Sequence, residues 1–310
     1  MKSILITGIG GDIAQSVAKI IRQKSLDYQL IGTDTHNDHA GSLFVDNFFQ
    51  LPFANEINYQ TSFEDLLSLE KIDIVMPMTE PELAALALTI KKHTDIDWVT
   101  AGEKVITAGL DKLATIDAIK KLGVLVPWTL AVKGGKPLAY PCILKNRFGS
   151  GSLAVFIVKD AIEASYLAER YPDAVYQELL EPADNEITCA VYRTRDGKTG
   201  VLQMLRRLAG GFTGWAKIIN EQSIGDMCIT IAEGLDLRGA MNIQLRMTST
   251  GPRVFEINPR FSSTVLMRHL LGFSDVVWAL DEINSVPIEF PIIASGQIVV
   301  RTQDAAILNS

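Results

Sequence analysis

Cysteine is scarce in this chain of 310 residues: Cys142, Cys189 and Cys228 stand apart, none at metal-ligand spacing from another. That excludes a disulfide-stapled scaffold and a zinc knuckle, and the three read as buried thiols in a reducing cytoplasm. Histidine is nearly as rare. His36, His39, His93 and His269 have no evident catalytic partners and read as surface or core residues. No apolar run is long enough to cross a bilayer, since ELAALALTI is short and flanked by charge, so no membrane partner is expected. The opening ILITGIGG has the shape of a strand running into a glycine turn, not of a signal peptide. Clustered positive charge is missing too. The net charge is -7, the pI is near 5.2 and the basic residues are scattered, which weighs against a nucleic-acid partner. There is no internal repeat. What remains is ordinary for a globular protein, 47% apolar and 21% charged, with length for two or three modest cores.

The first hundred residues alternate buried strands (SILITGIG, YQLIGTDT, IDIVMPMT, IDWVTAG) with helical stretches (DIAQSVAKIIRQ, EPELAALALTIKKH), which implies a parallel sheet with helices on both faces. DKLATIDAIKKLG predicts a helix with Asp111 near its start and Gly123 closing it. Beyond it come strand pairs, so a boundary is expected near residues 105 to 110, with an α+β region following. The glycine turn TGIGGDIA is a partial dinucleotide fingerprint, with Ile13 where a third glycine belongs and Asp34 as a ribose ligand. Its competing reading is a tight strand-to-helix turn. No tyrosine has lysine four residues on, which disfavours a short-chain dehydrogenase.

The chemistry concentrates later. MNIQLRM and VFEINPRF flank the turn-rich TSTGP and read as a hairpin. If the loop is symmetric about Thr250, Gln244 faces Glu256 and Asn242 faces Asn258 on one side of the sheet, with Arg260 at the end. An edge strand with a solvated face is one account of such a cluster; a hard cation such as Mg²⁺, completed by water and phosphates, is the other. Upstream, Lys145 ends a strand and Gly149-Ser150-Gly151-Ser152 follows before another strand, the pattern of a phosphate flap or an ordinary hairpin. AVYQELLEPADNE ends a strand near Glu178 and Glu186, which could contact an adenine edge or ribose hydroxyls or form a plain strand exit.

Taken in order, DKLAT, ILKNRFGSGS, YQELLEPADNE, MNIQLRM and FEINPRFSS resemble the ATP-grasp superfamily, most closely one synthetase unit of the carbamoyl phosphate synthase large subunit. The resemblance implies a Rossmann-like pre-ATP-grasp domain over 1–107, a small lobe with a phosphate flap over 108–178, and a large lobe with the metal site over 179–310. It implies that Lys112, Lys145, Ser150, Gly151 and Ser152 bind phosphates and that Glu178, Leu180 and Glu186 frame adenosine. Gln244, Glu256 and Asn258 would hold Mg²⁺ or Mn²⁺, with Glu256 bridging two ions and Asn242 supporting them. Arg260, Asn258 and Glu256 would be catalytic, Arg260 facing the transferred phosphate.

This sequence also departs from the pattern. Asn146 follows Lys145 where proline is common, and Leu153 replaces a glycine. GGFTGWA stands where carbamoyl phosphate synthases carry His-Thr-Gly-Asp, so carbamoyl phosphate formation is not expected. The expected activity is an ATP-dependent carboxylate–amine ligase working through an acyl phosphate and releasing ADP. A non-catalytic nucleotide-binding regulator and an NAD(P)-dependent oxidoreductase remain as alternatives. The expected partners are a small carboxylate and an amine, and a homodimer is left open. Glu80 and Glu82 could hold a cationic amine or cap the helix that begins there. Arg206 and Arg207 are candidates to steady transferred charge, and Phe212 and Trp215 to line a pocket or pack as core.

Overall fold

The computed structural model describes residues 1–24, 27–149, 154–303 and 305–307. Five parallel strands open the chain, ordered across the sheet as Asn47–Gln50, Tyr28–Asp34, Lys2–Ile6, Ile74–Met76 and Asp97–Trp98. Ile4, Leu5 and Ile6 are fully buried, because helices cover both faces of the sheet. The helix Asp12–Gln23 turns Ala14, Val17, Ala18 and Ile21 inward at helical spacing. The stretch expected as one helix from Glu80 onward forms two, Glu80–Ala85 and Ala87–Lys92, divided at the fully buried Leu86.

The helix expected after Asp111 forms as Lys112–Lys121. Asp111 caps it by accepting from the Leu113 amide, and Gly123 takes the left-handed φ of +78° just past its end. Next comes an antiparallel sheet ordered Thr129–Ala131, Ala174–Glu178, Cys142–Asn146, Val155–Val158. Alternation divides its faces. Cys142, Leu144, Val158 and Tyr176 pack under the helix Ala161–Arg170. Ile143 and Lys145 lie on the other face opposite Ile157 and Val155, and those two are 56% and 48% exposed.

The third sheet is antiparallel, ordered Gly251–Asn258, Gly239–Thr248, Glu186–Arg193, Thr199–Ala209, Phe212–Ile219, Ile298–Val300. One face buries Cys189, Val191, Met241, Ile243 and Ile257 against the helices Glu103–Gly109, Lys112–Lys121 and Gln222–Gly234. The other face changes character along its length. Tyr192, Ala190 and Ala240 share a core with the first sheet and the helices Val265–Leu270 and Asp275–Ile283. Further along the same strands, Thr188, Glu186, Asn242, Gln244 and Arg246 take the same side, and apolar packing gives way to a polar cleft. The boundary expected at 107 lies inside Glu103–Gly109, whose Val105 and Ala108 belong to the core under the third sheet. The cysteines are free and buried, and among the described residues no helix is long and apolar enough to cross a membrane.

Candidate active site

The hairpin pairs Gln244 with Glu256 and Asn242 with Asn258, as alternation predicted, but by a different route. The turn is tighter than a loop centred on Thr250, since Thr248 already pairs with Gly251. A β-bulge then makes up the missing residue: Leu245 pairs with Val254 and Gln244 with Glu256, leaving Phe255 as the extra one. The Phe255 carbonyl lies 3.5 Å from Lys145 Nζ, and its ring sits beneath that ammonium, 5.3 Å from the centroid.

The polar side chains form one connected set. Thr188 donates to Asn242 Oδ1 (2.8 Å), and Asn258 Oδ1 accepts from Asn242 Nδ2 (3.1 Å) and Gln244 Nε2 (2.8 Å). Asn258 Nδ2 in turn donates to Glu256 Oε1 at 3.2 Å. Burial alone would raise the Glu256 pKa, but Lys145, Lys112 and the Asn258 amide outweigh it and hold the carboxyl below its usual range. Lys145 Nζ is 3.9 Å from Glu256 Oε2, and burial pushes its pKa down to about 8 against that carboxylate's pull. Lys112 reaches the same cleft and donates to the Gly149 carbonyl at 2.8 Å. A two-pronged contact from Arg147 to Asp111, at 2.8 and 2.6 Å, pins the start of its helix.

Arg260 closes one end. Its guanidinium donates to Glu80 Oε1 (2.9 Å) and to the Phe261 carbonyl (2.9 Å), while its buried Nε has no acceptor among the described residues. Glu80 is therefore an anchor for Arg260, and with Glu82 it lies in the first turn of the helix Glu80–Ala85, where a negative charge favours the helix's positive end. Glu82 is buried and accepts hydroxyls from Thr7 (2.6 Å), Thr79 (2.7 Å) and Tyr59 (3.1 Å), and Thr79 caps the helix. Past Arg260 the cleft is walled by Ile13, Leu208, Phe212, Ser262 and Ser263. Trp215 stays outside it and carries Arg207 over its ring at 4.7 Å.

Two family models match parts of the chain: "ATP-grasp in the biosynthetic pathway with Ter operon" over residues 178–304, and "PylC-like, N-terminal domain" over 4–100. The chain has the ATP-grasp fold. Its fold is shared with N5-carboxyaminoimidazole synthetase from Staphylococcus aureus complexed with ADP (TM-score 0.78, 16% identity, 96% of this chain and 80% of that one). It is shared also with L-amino acid ligase from Bacillus licheniformis (TM-score 0.72, 15% identity, 90% and 73%). Biotin carboxylase from Campylobacter jejuni is a third example (TM-score 0.73, 15% identity, 93% and 72%). No curated protein sequence matches. These likenesses carry the fold, not the narrower likeness to a carbamoyl phosphate synthase unit.

Within the ATP-grasp fold, Lys112, Lys145, Asn242, Gln244, Glu256, Asn258 and Arg260 come together on one cleft. Ser150, Gly151 and Ser152, with Leu153, lie outside the described residues. Glu178, Leu180 and Glu186 stand beside the cleft with their groups already engaged. Glu178 accepts from the Trp128 amide and Arg253 (3.2 and 2.9 Å), and the Leu180 carbonyl accepts from Arg246 (2.8 Å). Glu186 is held by Arg206 and Arg246. Arg246 belongs to this set, and its place two residues after Gln244 puts it on the polar face. The donor set fits a hard cation: one ionised carboxylate, an oriented amide oxygen, and room for phosphates to supply the rest. Among the described residues no cluster of three acidic, histidine or cysteine ligands exists.

A cavity lined by Gly8, Gly10, Gly11, Asp34 and His39 lies over the glycine turn, but one of the turn's amides is already engaged. The Gly10 amide donates to Asp34 Oδ2 at 2.8 Å, and a Cβ on Gly10 would lie 2.5 Å from the His39 ring. One amide that a pyrophosphate would use is taken by the carboxylate expected to hold a ribose, which weighs against the NAD(P) alternative.

Proposed function

We propose that the protein is an ATP-dependent carboxylate–amine ligase that releases ADP and phosphate. The observation that carries this reading is the convergence of Lys112, Lys145, Arg260 and the ionised Glu256 on one cleft, beside the exposed apolar face formed by Val155 and Ile157. The apolar face suits a purine ring, and the cations suit a triphosphate. A carboxylate oxygen of the first substrate bonds to the γ-phosphorus as the bond to the bridging oxygen of ADP breaks. The amine nitrogen of the second substrate then attacks the acyl carbon, phosphate leaves, and the nitrogen sheds its proton to solvent. Mg²⁺ would be held at Glu256, beside the Gln244 oxygen that accepts a single bond, and would neutralise charge on the phosphates. Arg260 Nε, which lacks a protein acceptor, is placed to take the moving phosphate or the acyl phosphate.

The walls past Arg260 favour an organic acid over bicarbonate, which has no apolar part to set against Ile13, Leu208 and Phe212. Carboxylic acids, amino acids among them, would be screened with ATP, Mg²⁺ and hydroxylamine, following ADP and hydroxamate together. An active acid should give both in equal amounts. AMP and pyrophosphate as products would overturn the mechanism, and ADP release with bicarbonate alone would overturn the substrate class. A regulator without turnover would bind ATP in the same cleft and release no ADP.

A further inference from the structure

We propose that Ser262 is a further catalytic residue of this site: its hydroxyl donates to the acid substrate and then to the carbonyl oxygen of the acyl phosphate. The proposal rests on the ligase reading above and adds to it a group that lies beyond the metal strand.

Protons and lone pairs behind the cleft fix the direction of this donor. Arg268 is fully buried, and its Nε and NH2 both donate to Asp275 Oδ2, at 3.0 and 2.5 Å. That leaves NH1, which donates to two hydroxyls, Ser262 Oγ at 2.8 Å and Thr264 Oγ1 at 3.0 Å. The two hydroxyl oxygens lie 2.9 Å apart, so one donates to the other. Burial decides which. Thr264 is 1% exposed, and among the described residues Ser262 Oγ is the one acceptor within reach of its proton. If Ser262 donated instead, the Thr264 proton would be stranded in the core and its desolvation left uncompensated. Ser262 Oγ therefore accepts twice, from Arg268 and from Thr264, which fills both lone pairs of a hydroxyl oxygen. Its own proton has no acceptor among the described residues, and Ser262 lines the cleft.

Position gives the donor its use. Ser262 stands two residues past Arg260 and shares with it the end of the cleft walled by Ile13, Leu208 and Phe212. The loop that carries it is tied down: the Ser262 carbonyl accepts from the Val265 amide at 2.9 Å, and the Ser263 carbonyl accepts from Arg301. A hydroxyl with both lone pairs filled suits an anionic or carbonyl oxygen, not a ligand N–H. In the ligase reaction one carboxylate oxygen takes the γ-phosphorus and the other remains as the carbonyl oxygen. When the amine nitrogen bonds to the acyl carbon, the C=O electron pair moves onto that oxygen. It returns as the bond to phosphate breaks. A donor already oriented by a buried guanidinium stabilises the oxygen most while it carries this charge.

Ser262→Ala should lower the turnover number for hydroxamate formation by about 10²-fold, with the KM for ATP within about twofold of wild type. Thr264→Val is the control for structure. It breaks the same buried network and should lower the melting temperature, yet Ser262 keeps its proton and its bond from Arg268, so turnover should stay within about threefold. Equal losses of turnover in the two variants would reduce Ser262 to packing and overturn the proposal, as would a normal turnover number in Ser262→Ala. Should Ser262→Ala fail to fold, Ser262→Cys keeps a side chain there with only a weak S–H donor, and a loss of about tenfold or more is expected; normal turnover in that variant would overturn the proposal. If the wild-type chain releases no ADP with any acid, the ligase reading falls and takes this proposal with it. An active wild-type chain beside an unaffected Ser262→Ala would leave that reading intact.

Discussion

Glu256 keeps its charge in a buried position because two lysines face it, and the site's chemistry depends on that. Glu256→Gln keeps the shape and the hydrogen bond from Asn258 but removes the charge. ADP formation should fall by about 10²- to 10³-fold, with the circular dichroism spectrum unchanged. Near-normal turnover in a folded variant would remove Glu256 from the mechanism. Lys145 sets a pH dependence whose sign differs between binding and stability. Its pKa in the folded chain is about 8, below the 10.5 of a free lysine. Above pH 8 the empty protein loses this proton, while a bound phosphate favours the ammonium, so binding then takes up a proton. ADP affinity should weaken as pH rises from 7 to 10, at most about tenfold per pH unit, and Lys145→Met should flatten the profile. Folding stability should move the other way. Between pH 8 and 10.5 the unfolded chain holds the proton that the folded chain has shed, so this lysine's penalty is relieved as pH rises. Calorimetric titrations in two buffers of different ionisation enthalpy would detect the proton uptake.

At the scale of elements, two close fits aim the metal strand. The bulge at Phe255 restores the pairing of Glu256 with Gln244, and past the strand's end Pro259 packs against the helix Glu103–Gly109. A Cβ on Gly109 would stand 2.8 Å from Pro259 Cδ. Alanine is normally the better helix residue by about 1 kcal/mol, so the sign of Gly109→Ala separates propensity from packing. We expect a net loss of roughly 1–3 kcal/mol in urea unfolding and slower ADP release, since Pro259 lies between Asn258 and Arg260. A stabilised variant would show that the helix can shift without cost. These elements were only partly legible in the sequence. Alternation and a turn signal gave the pairing of Asn242 with Asn258 because the bulge restores the residue that the tighter turn removes. The bulge was not visible, since a Phe in a strand looks the same bulged or paired.

For the whole molecule, the first sheet and the third share a core, and charged contacts cross between them at the site. Arg301 joins Asp12 at the start of the first helix (3.2 Å) to the carbonyls of Thr213 (3.1 Å) and Ser263. Glu80 joins Arg260 across 180 residues of sequence. Both members of that pair are buried, so Glu80→Gln leaves a buried guanidinium without its counter-charge, at a cost of about 3–5 kcal/mol. The turnover number should fall, because Arg260 is no longer held, while the dissociation constant for ADP should stay within about threefold. Loss of ADP binding to the same degree would mean that Glu80 supports the cleft as a whole.

The sequence by itself determined what depends on neighbours along the chain: the parallel alternation of the first hundred residues, the Asp111 cap, and the polar stripe from Asn242 to Arg260. Period and capping are short-range properties, and a strand's alternation fixes which side chains share a face before any packing occurs. Only the tertiary structure decided which groups that stripe would meet. It tied the Gly10 amide to Asp34, turned Glu186 and Glu178 toward arginines, and gave Gln244 to Arg206 and Arg260 to Glu80. Such pairings follow from the burial of charge, since a carboxylate or guanidinium leaving water must find its opposite wherever the fold brings one near, and no spacing in the sequence records that choice.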